Sequence, residues 1–453
     1  VSGARESLGR PILAITLVLA LLGMVMVFSA SAVATASSAD YGHDPFYFFK
    51  RQFIFFLCGL GAMLAVRRVD LLRWRIWLSL PLMLLSLVLL VAVLAVGPII
   101  NGAQRWLLLG PVQFQVAELA KVAVVFYLAD CLARRRETLS SLPRLLPMFG
   151  LVGLTLALIE LEPDLGTSLV VAAVFMTMLF MAGVPLRFLG MLSGLGVAVV
   201  LALVLHKPYR FERLANYLHP FHDIQGVGYQ LYNGLLALAS GGVWGVGIPN
   251  SHQKFNYLPE QHTDFIFAIL GEEMGLVGCL AVLGLFALLL LAGFKLAVNC
   301  RRPYLALLAG GITFQVCFQA FLNVAVVTGS LPTTGIPLPL ISYGGSSLFF
   351  TLVSLGVLLN ISDYTARQVV APLRQKERRR LRRGSTLATS SEDRPVPVSS
   401  GSWESEVRAA RQAPPPPRLP RPLVEPDLSR CPPRRRRSRE GLVGGGRGGE
   451  RSG

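Results

Sequence analysis

Charge is scarce in this chain. Asp, Glu, Lys and Arg make up 15% of its 453 residues and 53% are hydrophobic, whereas a soluble domain carries about 25% charge. That balance excludes an ordinary water-soluble fold. Cysteine is equally sparse. Cys58, Cys131, Cys279, Cys300, Cys317 and Cys431 show no metal-ligand spacing, and none falls in a loop expected outside the membrane, which argues against a disulfide framework. The glycine-dense stretch ASGGVWGVG (239–247) is not followed by G-x-x-x-x-G-K-[ST], so it is no nucleotide loop of that kind. No catalytic triad and no metal motif is present. The absence of an internal repeat argues against a transporter built from repeated halves.

What the chain has instead is apolar blocks of bilayer-spanning length, about 17–25 residues. Ten candidate spans are read at 12–32, 50–66, 76–96, 114–132, 145–161, 164–183, 186–206, 264–294, 304–327 and 346–361. Backbone polar groups in lipid must pair internally, so these spans are expected to be helices. The expected fold is an all-α polytopic membrane protein: residues 1–11, a membrane domain over 12–362, and a tail over 363–453. The SASA at 29–32 resembles a signal-peptidase site. The apolar stretch before it is longer than an ordinary signal core, so an uncleaved first span is expected.

Orientation follows from Lys and Arg. Every second loop is basic, at Arg5 and Arg10, Arg67 to Arg75, Arg134 to Arg144, Arg187, and Lys295 to Arg302. The positive-inside rule then places both termini in the cytoplasm. From Asp363 onward 21 Lys and Arg face 10 Asp and Glu, a surplus of 11 within the total of +17. A basic tail near anionic lipid accounts for this better than nucleic acid does. Past residue 370 the chain is expected to be disordered, with polyproline pieces in APPPPRLPRP. The large outer loop, about 207–263, carries Lys207, Arg210, Arg213 and Lys254 against the charge trend. An anionic ligand is one reason for those cations.

Charges at membrane depth are costly and face a cavity or a partner. Glu118 and Lys121 are three apart on one helix face, either a self-neutralising pair or a functional one. Arg105 beside Trp106 is either an interfacial anchor or a phosphate fork. Glu162 and Asp164 flank Pro163, and a helix N-cap suffices to explain Asp164. LPTTGIPLPLISYGGSS (331–347) carries no charge and reads as a rigid irregular segment, buried in protein or lining a cavity. In YLPEQHTDFIF (257–267), Thr263 or Asp264 is expected to cap the eighth span, setting a carboxylate at the positive end of a dipole. Glu272 and Glu273 follow in that span and need a polar interior or a cation such as Lys121 or Arg105.

Together NGAQRWL, FQVAELAK, PDLGT, GYQ, SGG, NSHQKFNYLPEQHTDFIFAILGEE and LPTTGIPLPLISYGGSS resemble the SEDS (shape, elongation, division, sporulation) family over about residues 10–365. VMVFSASA and NSHQKFNYLPE lean toward its FtsW branch, while GIPLPL is shared with RodA-like sequences. The resemblance implies a ten-span glycosyltransferase that polymerises lipid II into peptidoglycan alongside a class B penicillin-binding protein. It places the essential aspartate at Asp264. Arg105, Lys121 and Glu118, with Lys254, are assigned to the pyrophosphate. Glu260, His262, Thr263, Glu272, Glu273, Ser342, Tyr343 and Gly344 are assigned to positioning. A divalent cation at the pyrophosphate is left open. Val116 and Ala117 depart from the usual Pro-Ser, and Pro249 from the common Gly. Residues alone rank a lipid transporter first and leave a division scaffold as a further alternative; the resemblance reverses that order.

Overall fold

The computed structural model describes residues 8–100, 102–110, 112–135, 142–206, 212–213, 217, 226, 228–248, 250–251, 253 and 261–392. Lys207, Arg210, Lys254 and Glu260 lie outside them. The chain divides into two units, Val1–Arg380 and Leu381–Gly453; the site lies wholly in the first.

That unit is a helical bundle. Its helices are α1 (Gly9–Ser37), α2 (Tyr47–Val66), α3 (Arg75–Leu78), α4 (Leu80–Val96), α5 (Val116–Arg134) and α6 (Leu142–Leu161). They continue as α7 (Leu165–Ala182), α8 (Leu186–His206), α9 (Tyr229–Gly241), α10 (Ile266–Asn299), α11 (Pro303–Val327) and α12 (Gly345–Glu392). Among the described residues eight helical spans, with α3 and α4 counted together as Arg75–Val96, are long and apolar enough to cross a membrane. Of the other two expected spans, α5 carries Glu118, Lys121, Asp130 and Arg134, and α6 is apolar over its described side chains, Leu145–Leu161.

Helix starts follow local chemistry. Pro81 and Pro303 sit in the first turns of α4 and α11, where proline's missing N–H costs nothing. Asp164 caps α7 by accepting from the Thr167 amide at 3.0 Å. At the centre stands α11, buried along most of its length and packed on α5, α7 and α10.

Three features depart from the sequence reading. A two-stranded antiparallel hairpin, β1 (Trp106–Leu109) and β2 (Val112–Gln115), precedes α5; apolar runs around a Gly-Pro pair favour such a turn. Helix α9 forms inside the expected outer loop and packs on α10. Finally, α12 continues to Glu392, past residue 370 where disorder was expected, through a run of Arg, Lys, Gln and Leu with high helix propensity.

Helix α10 is two helices end to end. Gly275 breaks it, with φ +67° and ψ −168°. The freed backbone groups pair with the glycine-rich loop after α9. Val246 and Gly247 amides donate to the Glu272 and Glu273 carbonyls at 2.9 and 3.0 Å, and Leu276 and Val277 amides donate to Gly242 and Val243. Non-helical backbone at membrane depth needs such internal partners. Thus amides of the glycine-dense stretch ASGGVWGVG serve the helix break.

At the end of the bundle near residues 67–75 and 130–135, Asp130 is buried yet gathers Arg75, Arg134 and Ser79. Arg75 also lies over the Tyr304 ring at 4.7 Å. This polar knot ties α3, α4, α5 and α11 together.

Candidate functional site

A cavity of about 900 Å³ opens at the other end of the bundle. Arg105, Glu118, Lys121, Asp164, Arg213 and Asp264 all line it. Residues from distant stretches of sequence therefore converge on one space. Thr263, Tyr343 and Gly344 line it as well.

Asp264 is half-buried and stands two residues before α10. Neither it nor Thr263 is the N-cap, as had been expected; that position is Phe265, with no side-chain cap bond. Asp264 still stands beside the positive, N-terminal end of the helix. What fixes it is the backbone around it. The His262 carbonyl accepts from the Tyr343 amide at 2.8 Å. The Thr263 carbonyl accepts from Ser342 Oγ at 2.6 Å. The Asp264 carbonyl accepts from Asn323 Nδ2 at 2.7 Å. Three consecutive carbonyls are thus held by three different residues. Gly335, at φ +70°, makes room for the carboxylate: a Cβ there would lie 3.3 Å from Asp264 Oδ2.

The segment 331–344 is irregular, as its composition suggested, with Ile336 and 338–342 buried and the rest half-buried apart from exposed Gly335. Its polar groups are answered by side chains. Gln319 Nε2 donates to the Pro337 carbonyl at 3.0 Å and Asn323 Nδ2 to the Ile336 carbonyl at 2.7 Å. Gln52 Nε2 donates to the Ser342 carbonyl at 3.2 Å, and the Gly344 amide donates to Gln52 Oε1. His262 lies tilted against Phe48, ring centres 4.4 Å apart, and Tyr343 meets Phe48 edge-on at 4.7 Å. Gln52, Gln319, Asn323 and Phe48 were absent from the sequence reading of the site.

The cations are positioned by distinct means. Lys121 Nζ donates to Glu118 Oε1 at 2.9 Å and to Gln319 Oε1 at 2.6 Å, with both charged side chains nearly excluded from solvent. An ammonium has three donors, so one remains. Arg105 donates through Nε to the Glu162 carbonyl at 2.9 Å and through Nη2 to the Pro163 carbonyl. Two of its five N–H groups are used, and they aim the other three. Arg213 donates to the Thr333 carbonyl at 3.2 Å.

Asp164 is engaged by Thr167 and by Gln115 Nε2 at 3.3 Å. Glu162 beside it is fully buried, and neither carboxylate oxygen has a hydrogen-bond partner among the described residues. Burial, with Asp164 nearby, pushes its carboxyl up to about 8 despite the opposing Arg105. Glu272 and Glu273 do not turn to Lys121 or Arg105. Ser251 Oγ donates to Glu272 at 2.5 Å and Ser29 Oγ to Glu273 at 2.5 Å. Both carboxylates stand just before the α10 break at Gly275, and each accepts a serine hydroxyl there.

Glu118 is committed to Lys121, and Asp164 to the start of α7. Among the described residues no three His, Cys, Asp or Glu side chains come together as metal ligands.

Fold and site define a multi-pass membrane protein with a carboxylate and fixed cations converging on a cavity at one end of its bundle. The chain belongs to the FtsW/RodA/SpoVE family of cell cycle proteins, which matches residues 10–367. Stage V sporulation protein E of Bacillus subtilis (strain 168) is 41% identical over 355 residues, covering 78% of this chain and 96% of its own. A probable peptidoglycan glycosyltransferase FtsW of Halorhodospira halophila is 42% identical over 359 residues, covering 78% and 90%. Among solved structures, RodA of Thermus thermophilus matches with a TM-score of 0.57 at 32% identity, covering 78% and 95%. A chain of a peptidoglycan synthase complex that coordinates polymerization and crosslinking matches with a TM-score of 0.64 at 33% identity, covering 78% and 97%. The SEDS resemblance is thereby borne out.

Proposed function

We propose that the protein is a peptidoglycan glycosyltransferase of the FtsW kind, polymerising lipid II at the outer face of the bacterial cytoplasmic membrane during septal wall synthesis. In this reading ten spans cross the membrane, both termini lie in the cytoplasm, and a class B penicillin-binding protein crosslinks the product. The relatives named as FtsW glycosyltransferases and the synthase-complex neighbour support it. The observation that carries it is the convergence of Asp264, Lys121 and Arg105 on one cavity.

The acceptor is the 4-hydroxyl of the terminal GlcNAc of one lipid II. Asp264 takes its proton as the oxygen attacks C1 of the MurNAc of a second lipid-linked chain. The new C1–O bond forms as the bond from C1 to the pyrophosphate oxygen breaks, inverting C1. Undecaprenyl pyrophosphate leaves with its bonding pair. Its developing charge falls to the free N–H groups of Arg105 and the remaining donor of Lys121, with Arg213 at the rim. Glu118 holds Lys121 in place. Lys254 is kept as a further candidate cation.

The test is polymer synthesis from purified lipid II by the Asp264→Asn protein. The carboxamide keeps shape and loses the base, so product is expected to fall at least about a hundredfold. Wild-type product at equal folded protein would remove Asp264 from the chemistry. The break in α10 and the buried Glu118–Lys121 pair favour lipid translocation. Lipid II movement across liposomes without polymer would establish that reading instead.

A further inference from the structure

A second cavity, of about 820 Å³, lies at the opposite end of the bundle, where α2 ends and α12 passes. Along α11 its lining residue Leu305 is 17 positions from Leu322 of the first cavity, roughly 25 Å at the helical rise. Nothing in the proposed reaction uses it.

Its charges do not cancel. Three arginines and two aspartates line it: Arg67, Arg68, Arg367, Asp70 and Asp363. Asp363 is taken by Arg67, through Nε at 2.7 Å and Nη2 at 3.2 Å. Asp70 is taken by the Leu72 and Arg73 amides. Arg68 and Arg367 are exposed, and among the described residues no carboxylate pairs with either. The framework beneath them is fixed. Asn360 Nδ2 donates to the Val66, Arg67 and Val69 carbonyls at 3.1, 2.9 and 2.5 Å, which holds the turn that carries Arg68.

One wall of the cavity is apolar, with Leu64, Leu72 and Leu305. Leu64 is also the last member of an exposed stripe on α2: Phe53, Ile54, Leu57 and Leu64. The spacing of three, four and seven puts them on one helix face. An acyl chain laid on that stripe ends at the two arginines. A soluble anion would need the arginines and not the stripe. The basic loops place this end in the cytoplasm, where anionic headgroups are available.

We propose that this cavity is a binding site for an anionic phospholipid, with its phosphodiester on Arg68 and Arg367 and one acyl chain along the exposed face of α2. The site is independent of the Asp264 chemistry.

The experiment is native mass spectrometry of the full chain, titrated with phosphatidylglycerol or with phosphatidylcholine of the same acyl chains. The protein is expected to retain phosphatidylglycerol preferentially. Arg68→Gln with Arg367→Gln is expected to weaken that retention about tenfold, and each single change about threefold. Neither side chain supports the fold, so the melting temperature should hold. Arg73→Gln with Arg301→Gln removes the same charge from exposed positions outside the cavity and should leave retention unchanged. Equal retention of both lipids, or an unaffected Arg68/Arg367 variant, overturns the proposal. Displacement of the lipid by glycerol phosphate alone, or by an acidic peptide alone, overturns the assignment to a lipid.

Discussion

Removing Lys121 separates two roles that the wild-type protein superimposes. Glu118 and Lys121 form a pair at 2.9 Å, with side chains 5% and 3% exposed. Lys121→Met strands the Glu118 carboxylate in that environment and deprives Gln319 Oε1 of its donor. Breaking a buried pair from one side costs about 3–5 kcal/mol. Loss of activity in the single variant therefore has two explanations. Glu118→Gln added to Lys121→Met removes the stranded charge. The introduced carboxamide can also donate where the ammonium did, so most of the lost stability should return, to within about 1–2 kcal/mol of wild type. The assay pairs thermal unfolding in detergent with gel analysis of lipid II polymerisation at equal folded protein. If Lys121 stabilises the leaving pyrophosphate, the double variant folds and still makes no polymer. Wild-type polymer from the double variant would refute that role and reduce the pair to a device for inserting α5 into the membrane.

Three further outcomes are expected. Asn323→Leu, similar in volume, orphans the Asp264 and Ile336 carbonyls at about 1–3 kcal/mol each. Its polymerisation rate should drop by roughly one to two orders of magnitude while lipid II binding, read by titration, changes little. Glu162 binds its proton more tightly in the folded chain than its ordinary value of 4.5 allows unfolded. Its contribution to stability is therefore full below pH 4.5 and is lost as pH rises toward about 8. Glu162→Gln should flatten the melting temperature between about pH 6 and 8 and raise it at the upper end of that window. Gly245→Ala adds a Cβ that overlaps the Glu273 carbonyl at φ +81°, whereas a Cβ at Gly247, φ +86°, meets little. The first should cost about 1–3 kcal/mol more than the second, read as the difference in melting temperature.

The sequence discloses what is local. Asp164 caps a helix three residues before Thr167, and Glu118 meets Lys121 one turn on; both follow from helix geometry without knowledge of the fold. The partners of Glu272 and Glu273 did not follow. Ser29 is 244 residues from Glu273, and no spacing rule connects them. The role of the glycine-rich loop did not follow either, for the same reason. Its amides do approach a polar partner, but the partner is the broken backbone of α10, and the break rests on Gly275 inside a run that reads as one apolar span. Gln319 and Asn323 look like ordinary polar residues of an apolar helix until the segment 331–344 is laid beside them.

That last pairing bears on how a site can be rigid without being helical. In lipid an unanswered backbone group costs several kcal/mol, so irregular segments at depth must find donors from outside themselves. Here three buried side-chain amides, Gln52, Gln319 and Asn323, supply them to 331–344, and Asn323 reaches across to Asp264 as well. Each amide stands on a continuous helix, α2 or α11, and so inherits its position from the bundle. Asp264 thus sits on a loop by secondary structure but on a scaffold by bonding. Its carboxylate can be held for proton abstraction without rearrangement. The same bonds make the loop dependent on α11: displacing α11 moves the carbonyls of Asp264, Ile336 and Pro337 together, while Lys121 follows through Gln319. The proposed base, Asp264, and one of the proposed leaving-group cations, Lys121, are therefore coupled through a single helix.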